Sequence, residues 1–272
     1  MTRGPEAAPR RRPEQLLLAF FGELVVDKDV EAVPAAVLLE VLEELELAPT
    51  ATRATLARMV ARGLLGKRPS GRSVSYLLAP EGERVLREAR DRVFADEPFA
   101  PEGSGWTLVT FSIPEARRDV RHRVRARLTW AGFGLVRDGL WIAPGEVDVA
   151  RALDGLPEED AELDLLAFRA EEVPGFPVAE SLAGAWDLEA IRERHESFQA
   201  AWAEIEVDAG HALRDLTALV ADWLDLLRAA PRLPVAHLGT SWPSARSVET
   251  FRRLHRELAP RAGAELARLL AG

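Results

Sequence analysis

The chain has 272 residues, 47% of them hydrophobic, and a formal net charge of -9, enough length and apolar content for two or three domains with real cores. The absence of cysteine excludes disulfides, thiolate zinc sites and a cysteine nucleophile. No apolar run is long enough to cross a bilayer and the opening MTRGPEAAPRRRPEQ lacks the form of a signal peptide, so a cytoplasmic protein without a cofactor is expected.

In chain order, Met1–Arg12 is Pro, Gly and Ala with a basic cluster at Arg10–Arg12. It reads as a flexible arm for DNA phosphates or as an untidy terminus. Pro13–Val26 has Leu16, Leu17, Phe20, Phe21 and Leu24 at helical spacing. Pro34 suits a first helical turn, and Val37, Leu38, Val41, Leu42 and Leu45 carry a second helix to about Leu47. Its acids Glu40, Glu43, Glu44 and Glu46 point it away from phosphate. After Pro49 a third helix runs from Thr50 to Arg62, with Thr50 or Thr52 as its cap and Gly63 as its stop. Two strands follow, Leu64–Arg68 and Val74–Leu78, joined by the turn set Pro69-Ser70-Gly71-Arg72. Pro80-Glu81-Gly82 opens a helix to about Ala95, and Asp96–Gly105 is a Pro, Gly and acid linker.

From Pro49 to Ser73 there is no acidic residue, on a chain that is acidic overall. Leu56, Met59, Val60 and Gly63 share one face of the third helix; Ala54, Thr55, Arg58 and Arg62 share the other, with Arg53 on the flank. A helix with a small, hydroxyl and arginine face, followed by a basic hairpin, is a winged helix-turn-helix. Small residues let such a helix sit deep in the major groove, arginines reach guanine edges or phosphates, and the hairpin lies along the backbone. The candidate DNA contacts are Thr50, Thr52, Arg53, Thr55, Arg58, Arg62, Lys67, Arg68, Arg72 and Ser73. The alternative is a solvated basic face on an ordinary helical domain.

A middle domain opens with the strand WTLVTFSI at Trp106 and an arginine-crowded helix, Glu115–Trp130, whose core stripe is Val120, Val124 and Leu128. Gly134–Arg137 and Leu140–Ala143 form a hairpin over Asp138-Gly139. A helix over Val147–Leu156 and a strand over Glu162–Arg169 complete β-α-β-β-α-β, the ferredoxin-like plan. After a connector at Val173–Ala185 the chain is helical over Leu188–Val207, Ala209–Ala230 and Ser244–Glu257, with a last helix to Leu270. The expected fold class is α+β, with domains at 13–95 (winged helix), 106–172 (ferredoxin-like) and 185–272 (helical).

Three segments resemble the PaaX-type repressors of phenylacetic acid degradation. They are LAFFGELV with TRATLARMVARGLL and GRSVSYLLAPEGE, then WTLVTFSIPEARRDVRHRVRARLTWAGFGLVRDGLWIAP, then a WL…P.LP…WP pattern from Trp223 to Pro243. The resemblance implies an amino-terminal winged helix, a central domain like the CRISPR-associated Cas2 fold and a helical carboxy-terminal domain. It also implies a homodimeric, non-enzymatic repressor that leaves a double-stranded operator when an aryl-acyl-CoA binds. One departure is Thr52, where the family has an aliphatic residue.

A Cas2-like fold raises a metal-dependent nuclease as the rival from another class, but the carboxylate position at the end of the first strand holds Ser112, and Asp119 lies among arginines as an ion-pair partner. A third reading is an interaction module that works through its carboxy-terminal helices without binding DNA. The Arg117–Arg127 cluster is a solvated face, a further operator contact, or a cradle for coenzyme A phosphates built from Arg117, Arg118 and Arg121. The histidines, His122, His195, His211, His237 and His255, have no metal-ligand spacing. Of the aromatic set Trp186, Phe198, Trp202, Trp223, Trp242 and Phe251, most are expected in the core.

Overall fold

The computed structural model describes residues 11–70, 73–137, 139–153, 164–175, 184–207, 210–230, 232–234, 237–239 and 241–271. Its contacts divide the chain into two compact units, one of residues 1–98, 195–227 and 245–272, the other of residues 99–194 and 228–244. Among the described residues no helix is long and apolar enough to cross a membrane.

The first unit opens with α1 (Pro13–Leu24), which starts on its proline and buries Leu16, Leu17, Phe20 and Phe21. Then come β1 (Val33–Pro34), α2 (Ala35–Glu44), α3 (Pro49–Ala61), β2 (Leu65–Ser70), β3 (Ser73–Leu78) and α4 (Pro80–Val93). The strands form a sheet in the order β1-β3-β2, and the whole is a winged helix-turn-helix. The second helix is shorter than the periodicity predicts. Pro34 keeps an extended backbone (φ -58°, ψ 141°) because it is paired with Ser75, and Glu46 turns left-handed (φ 62°) after the helix. A strand as short as β1 has no period to read. The wing strands run further toward each other than expected, with Ser70 opposite Ser73; the turn residues Gly71 and Arg72 lie outside the described residues.

The same unit contains α7 from His195, α8 and α9, where α7 is Leu188–Trp202, α8 is Ala212–Ala229 and α9 is Ser244–Ala271. Helix α8 is buried along most of its length, from Leu213 through Leu219 and Trp223 to Leu227, and the burial takes in the charged Asp222. Trp223 stacks on Phe251 of α9 at 4.5 Å and 7°, and Phe198 and Trp202 are buried too, so these aromatics of the carboxy-terminal part are core. The two final helices predicted at Ser244–Glu257 and beyond are one, running through Pro260. Proline removes one intrahelical hydrogen bond. The buried stripe Phe251, Leu254, Leu258, Ala262 and Leu266 continues unbroken across it, and that packing outweighs the lost bond.

Polar ties join the winged helix to these helices inside the unit. Arg11 and Gln15 bond to Asp222 and Asp225 of α8, Arg92 to the Leu227 carbonyl, Arg252 to the carbonyls of Ala95 and Asp96, and His255 Nε2 lies 2.9 Å from the buried Glu23 carboxylate. His195, fully buried on α7, has Nδ1 2.9 Å from Ser247 Oγ, and burial pushes its pKa down to about 4. The folded chain therefore holds this histidine neutral while the unfolded chain protonates it near its ordinary 6.5. Unfolding takes up a proton below that value, so the group's stabilisation is whole above about pH 6.5 and is lost as pH falls toward 4, at a limiting slope of about 1.4 kcal/mol per pH unit. Denaturant melts across that window should show the loss in the wild type and a shallower one in His195→Gln; equal slopes would assign the acid lability to other groups.

In the second unit, β4 (Trp106–Ser112), a short 3-10 turn and α5 (Arg118–Trp130) are followed by β5 (Gly134–Arg137), β6 (Leu140–Pro144), α6 (Val149–Ala152) and β7 (Asp164–Ala170). The antiparallel sheet has the order β5-β6-β4-β7, the ferredoxin-like arrangement. On one face Val109, Trp141 and Ala143 pack under Val120, Val124 and Leu128 of α5. The other face carries Trp106 and Ile142 beneath Leu233, with Trp186, Leu188 and Leu238 at its margin. Gly139 has φ 78°, as the hairpin needs; its neighbour Asp138 lies outside the described residues, and so does part of the segment predicted as the second helix.

Candidate nucleic-acid interface

Helix α3 begins on Pro49 with Ala48 as its N-cap, and neither Thr50 nor Thr52 caps it. Its end is the predicted glycine stop. Gly63 is left-handed (φ 72°), the Leu64 amide donates to the Met59 carbonyl and the Gly63 amide to that of Val60. This closure sends the chain directly into the wing.

The inner face of α3 is Thr52, Thr55, Leu56 and Met59, all buried. Two of the predicted contacts thus point inward. Thr52 and Thr55 donate their hydroxyls to the carbonyls of Ala48 (3.5 Å) and Ala51 (2.9 Å). That bond removes the cost of burying the hydroxyl and leaves the methyl to pack, so threonine here behaves as an aliphatic residue. The family's aliphatic residue at the Thr52 position was the sequence signal for it. Thr55 has a positioning role, since its Oγ1 accepts from Arg58 Nη2 at 2.8 Å.

The outer face is Thr50, Arg53, Ala54, Ala57, Arg58, Ala61 and Arg62, all exposed. Ala57 and Ala61, not singled out from the sequence, extend the low strip between the arginines. Arg53 shares a groove between α2 and α3 with Glu40, Glu43 and Glu44. Arg62 pairs with Glu14, and Arg68 on the wing pairs with Glu31, whose carboxyl it holds below the usual range through the hydrogen bond and its charge. These exposed pairs are weak and exchangeable, so a phosphate can replace either carboxylate. Lys67 and Ser73 are exposed on the wing; Arg72 lies outside the described residues. Arg53, Arg58, Arg62, Lys67 and Arg68 therefore share one module and are all open to solvent.

Arg117, Arg118 and Arg121 belong to the second unit. Arg121 donates to Glu115 (2.8 Å) and to the Ile113 carbonyl (2.7 Å), which ties the strand end to the helix start, and Arg118 is exposed. Asp119 pairs with Arg123 at 3.1 Å.

Residues 12–82 match the family described as PaaX-like protein, residues 100–175 the PaaX protein central Cas2-like domain, and residues 186–268 the PaaX-like protein C-terminal domain. No curated protein matches the chain. Among solved structures, an uncharacterized protein of Mycobacterium tuberculosis, Rv0674, is similar at 22% identity and a TM-score of 0.59 over 93% of this chain and 97% of that one, a likeness of fold.

Proposed function

The chain belongs to the PaaX family, a family of transcriptional regulators, and from that premise we propose that it is a homodimeric repressor whose winged helices grip a double-stranded operator. The observation that supports this most is the solvent-facing set Arg53, Arg58, Arg62, Lys67 and Arg68 on α3 and β2, within a stretch that has no acid. In this reading α3 enters the major groove with Ala54, Ala57 and Ala61 against its floor. Arg53 and Arg58 reach base edges or phosphates, and Arg62, Lys67 and Arg68 hold the backbone. Two protomers place two such helices in successive major grooves of a palindromic site. An acyl-CoA of the phenylacetyl-CoA kind binds the non-operator state better and so shifts the population off DNA, which fits regulation of a catabolic operon. No catalytic step is assigned.

A gel shift with the region upstream of the chain's own gene tests the reading, run with and without phenylacetyl-CoA. No shift at low salt sinks it. Arg58→Ala should weaken operator binding by about 1–3 kcal/mol if the arginine reads a base. An equal loss on random duplex makes Arg58 a phosphate contact. Thr55→Val, which keeps the packing and removes the oxygen that holds Arg58, should reproduce part of that loss without a change in melting temperature.

A further inference from the structure

We propose that the outer face of α5, ending on Trp130, is a second contact for the phosphate backbone of duplex DNA. Between Glu115 and Trp130 the chain has six arginines against two acids, on a protein of net charge -9. Val120, Val124 and Leu128 turn one side of α5 to the sheet, and Arg118, His122, Arg125, Ala126, Thr129 and Trp130 are exposed on the rest. Glu115 and Asp119 are taken up by Arg121 and Arg123. Among the described residues Arg118 has no side-chain partner, and Arg125, two turns on, lies over the Trp141 ring at 5.8 Å and has no ion pair. The two cations are about 10 Å apart along the helix axis, a reach that serves separate phosphates.

Trp130 separates this face from an ordinary solvated one. It is 81% exposed, more than any other large hydrophobic side chain of the described residues. Trp130 lies at one edge of the exposed arc of α5 and Arg118 and Arg125 at the other, and its indole offers an N–H to a phosphate oxygen and a flat apolar face to deoxyribose. The surface is a convex helix face, unlike the concave pocket that encloses a small ligand. Charge therefore selects a polyanion, and the inference rests on the DNA-binding reading above for which polyanion it is.

The test uses the full chain and fluorescently labelled random-sequence duplexes of 16 and 40 base pairs, with binding measured from 50 to 200 mM salt. Arg118→Glu with Arg125→Glu should weaken binding to the long duplex at least tenfold and lower the salt slope by about two, with the melting temperature unchanged. Trp130→Ala alone should weaken it severalfold, and DNA should shield Trp130 from acrylamide, as the difference from Trp130→Phe reads. Wild-type affinity in the double variant overturns the proposal. So does loss of coenzyme A binding, or of binding to anionic vesicles, with DNA binding intact. Arg53→Glu with Arg58→Glu separates the two readings. If that variant alone loses DNA, the α5 proposal fails and the winged-helix reading stands; if the α5 variant alone loses it, the reverse holds; if the wild type binds neither duplex, both fail.

Discussion

Asp222→Ala should lower the stability of the chain by about 3–5 kcal/mol, a fall of about 10 °C in melting temperature, although the residue is remote from the cationic strip. Asp222 is 7% exposed in the most buried helix of the first unit. Arg11 grips it with both prongs, Nε to Oδ1 at 2.8 Å and Nη2 to Oδ2 at 2.7 Å, and Trp202 Nε1 donates to Oδ2 at 2.9 Å. The guanidinium also lies 5.9 Å from the Trp202 ring. Removing the carboxylate strands a largely buried arginine and an indole N–H. The net worth of the pair is a separate quantity, because burying two charges is costly to begin with. Arg11→Met combined with Asp222→Leu should therefore recover most of the stability. A loss below about 1 kcal/mol in Asp222→Ala would mean the pair does not form.

Gly82→Ala should cost about 3 kcal/mol and weaken DNA binding with it. Alanine normally favours a helix over glycine by about 1 kcal/mol, so the expected sign is opposite to propensity. The reason is space: a Cβ on Gly82, in the first turn of α4, would stand 2.1 Å from the Leu64 carbonyl oxygen. That oxygen also accepts the Ala79 amide at 3.1 Å, so backbone must move and cannot simply rotate away. Leu64 is the residue that leaves the glycine stop of α3, so displacement there shifts the wing against the recognition helix. Gly263→Ala is the contrasting change. It lies inside α9 with nothing within 4 Å of its Cβ, and it should stabilise by about 0.5–1 kcal/mol. If both substitutions move stability the same way, crowding against the Leu64 carbonyl does not set the cost at Gly82.

Much of the architecture was legible because it is written in local chemistry. The glycine stop at Gly63, the wing hairpin, the arginine-rich α5 over its Val120–Val124–Leu128 stripe and the β-α-β-β-α-β order each follow from spacing and turn residues. What escaped reading was decided by partners distant in sequence. Threonine counts as polar in any periodicity, yet Thr52 and Thr55 face the core because their hydroxyls bond backward to the preceding turn. Pro260 announces a break, yet α9 runs through it because its buried stripe is continuous on both sides. The two-residue β1 exists only because β3 is there to pair with it.

The arginine cluster near the start of the chain shows the same division. Its composition reads as an arm for phosphates or an untidy terminus, whereas Arg11 is held on Asp222, 211 residues away. From order and type of residue alone came the elements, the basic strip free of acids and the family. Tertiary structure alone decided that the carboxy-terminal helices pack in one unit with the winged helix, and which side chains of α3 face water. The physical reason is that helix and turn formation are governed within a few residues of the chain, while burial and charge pairing depend on which distant segments meet.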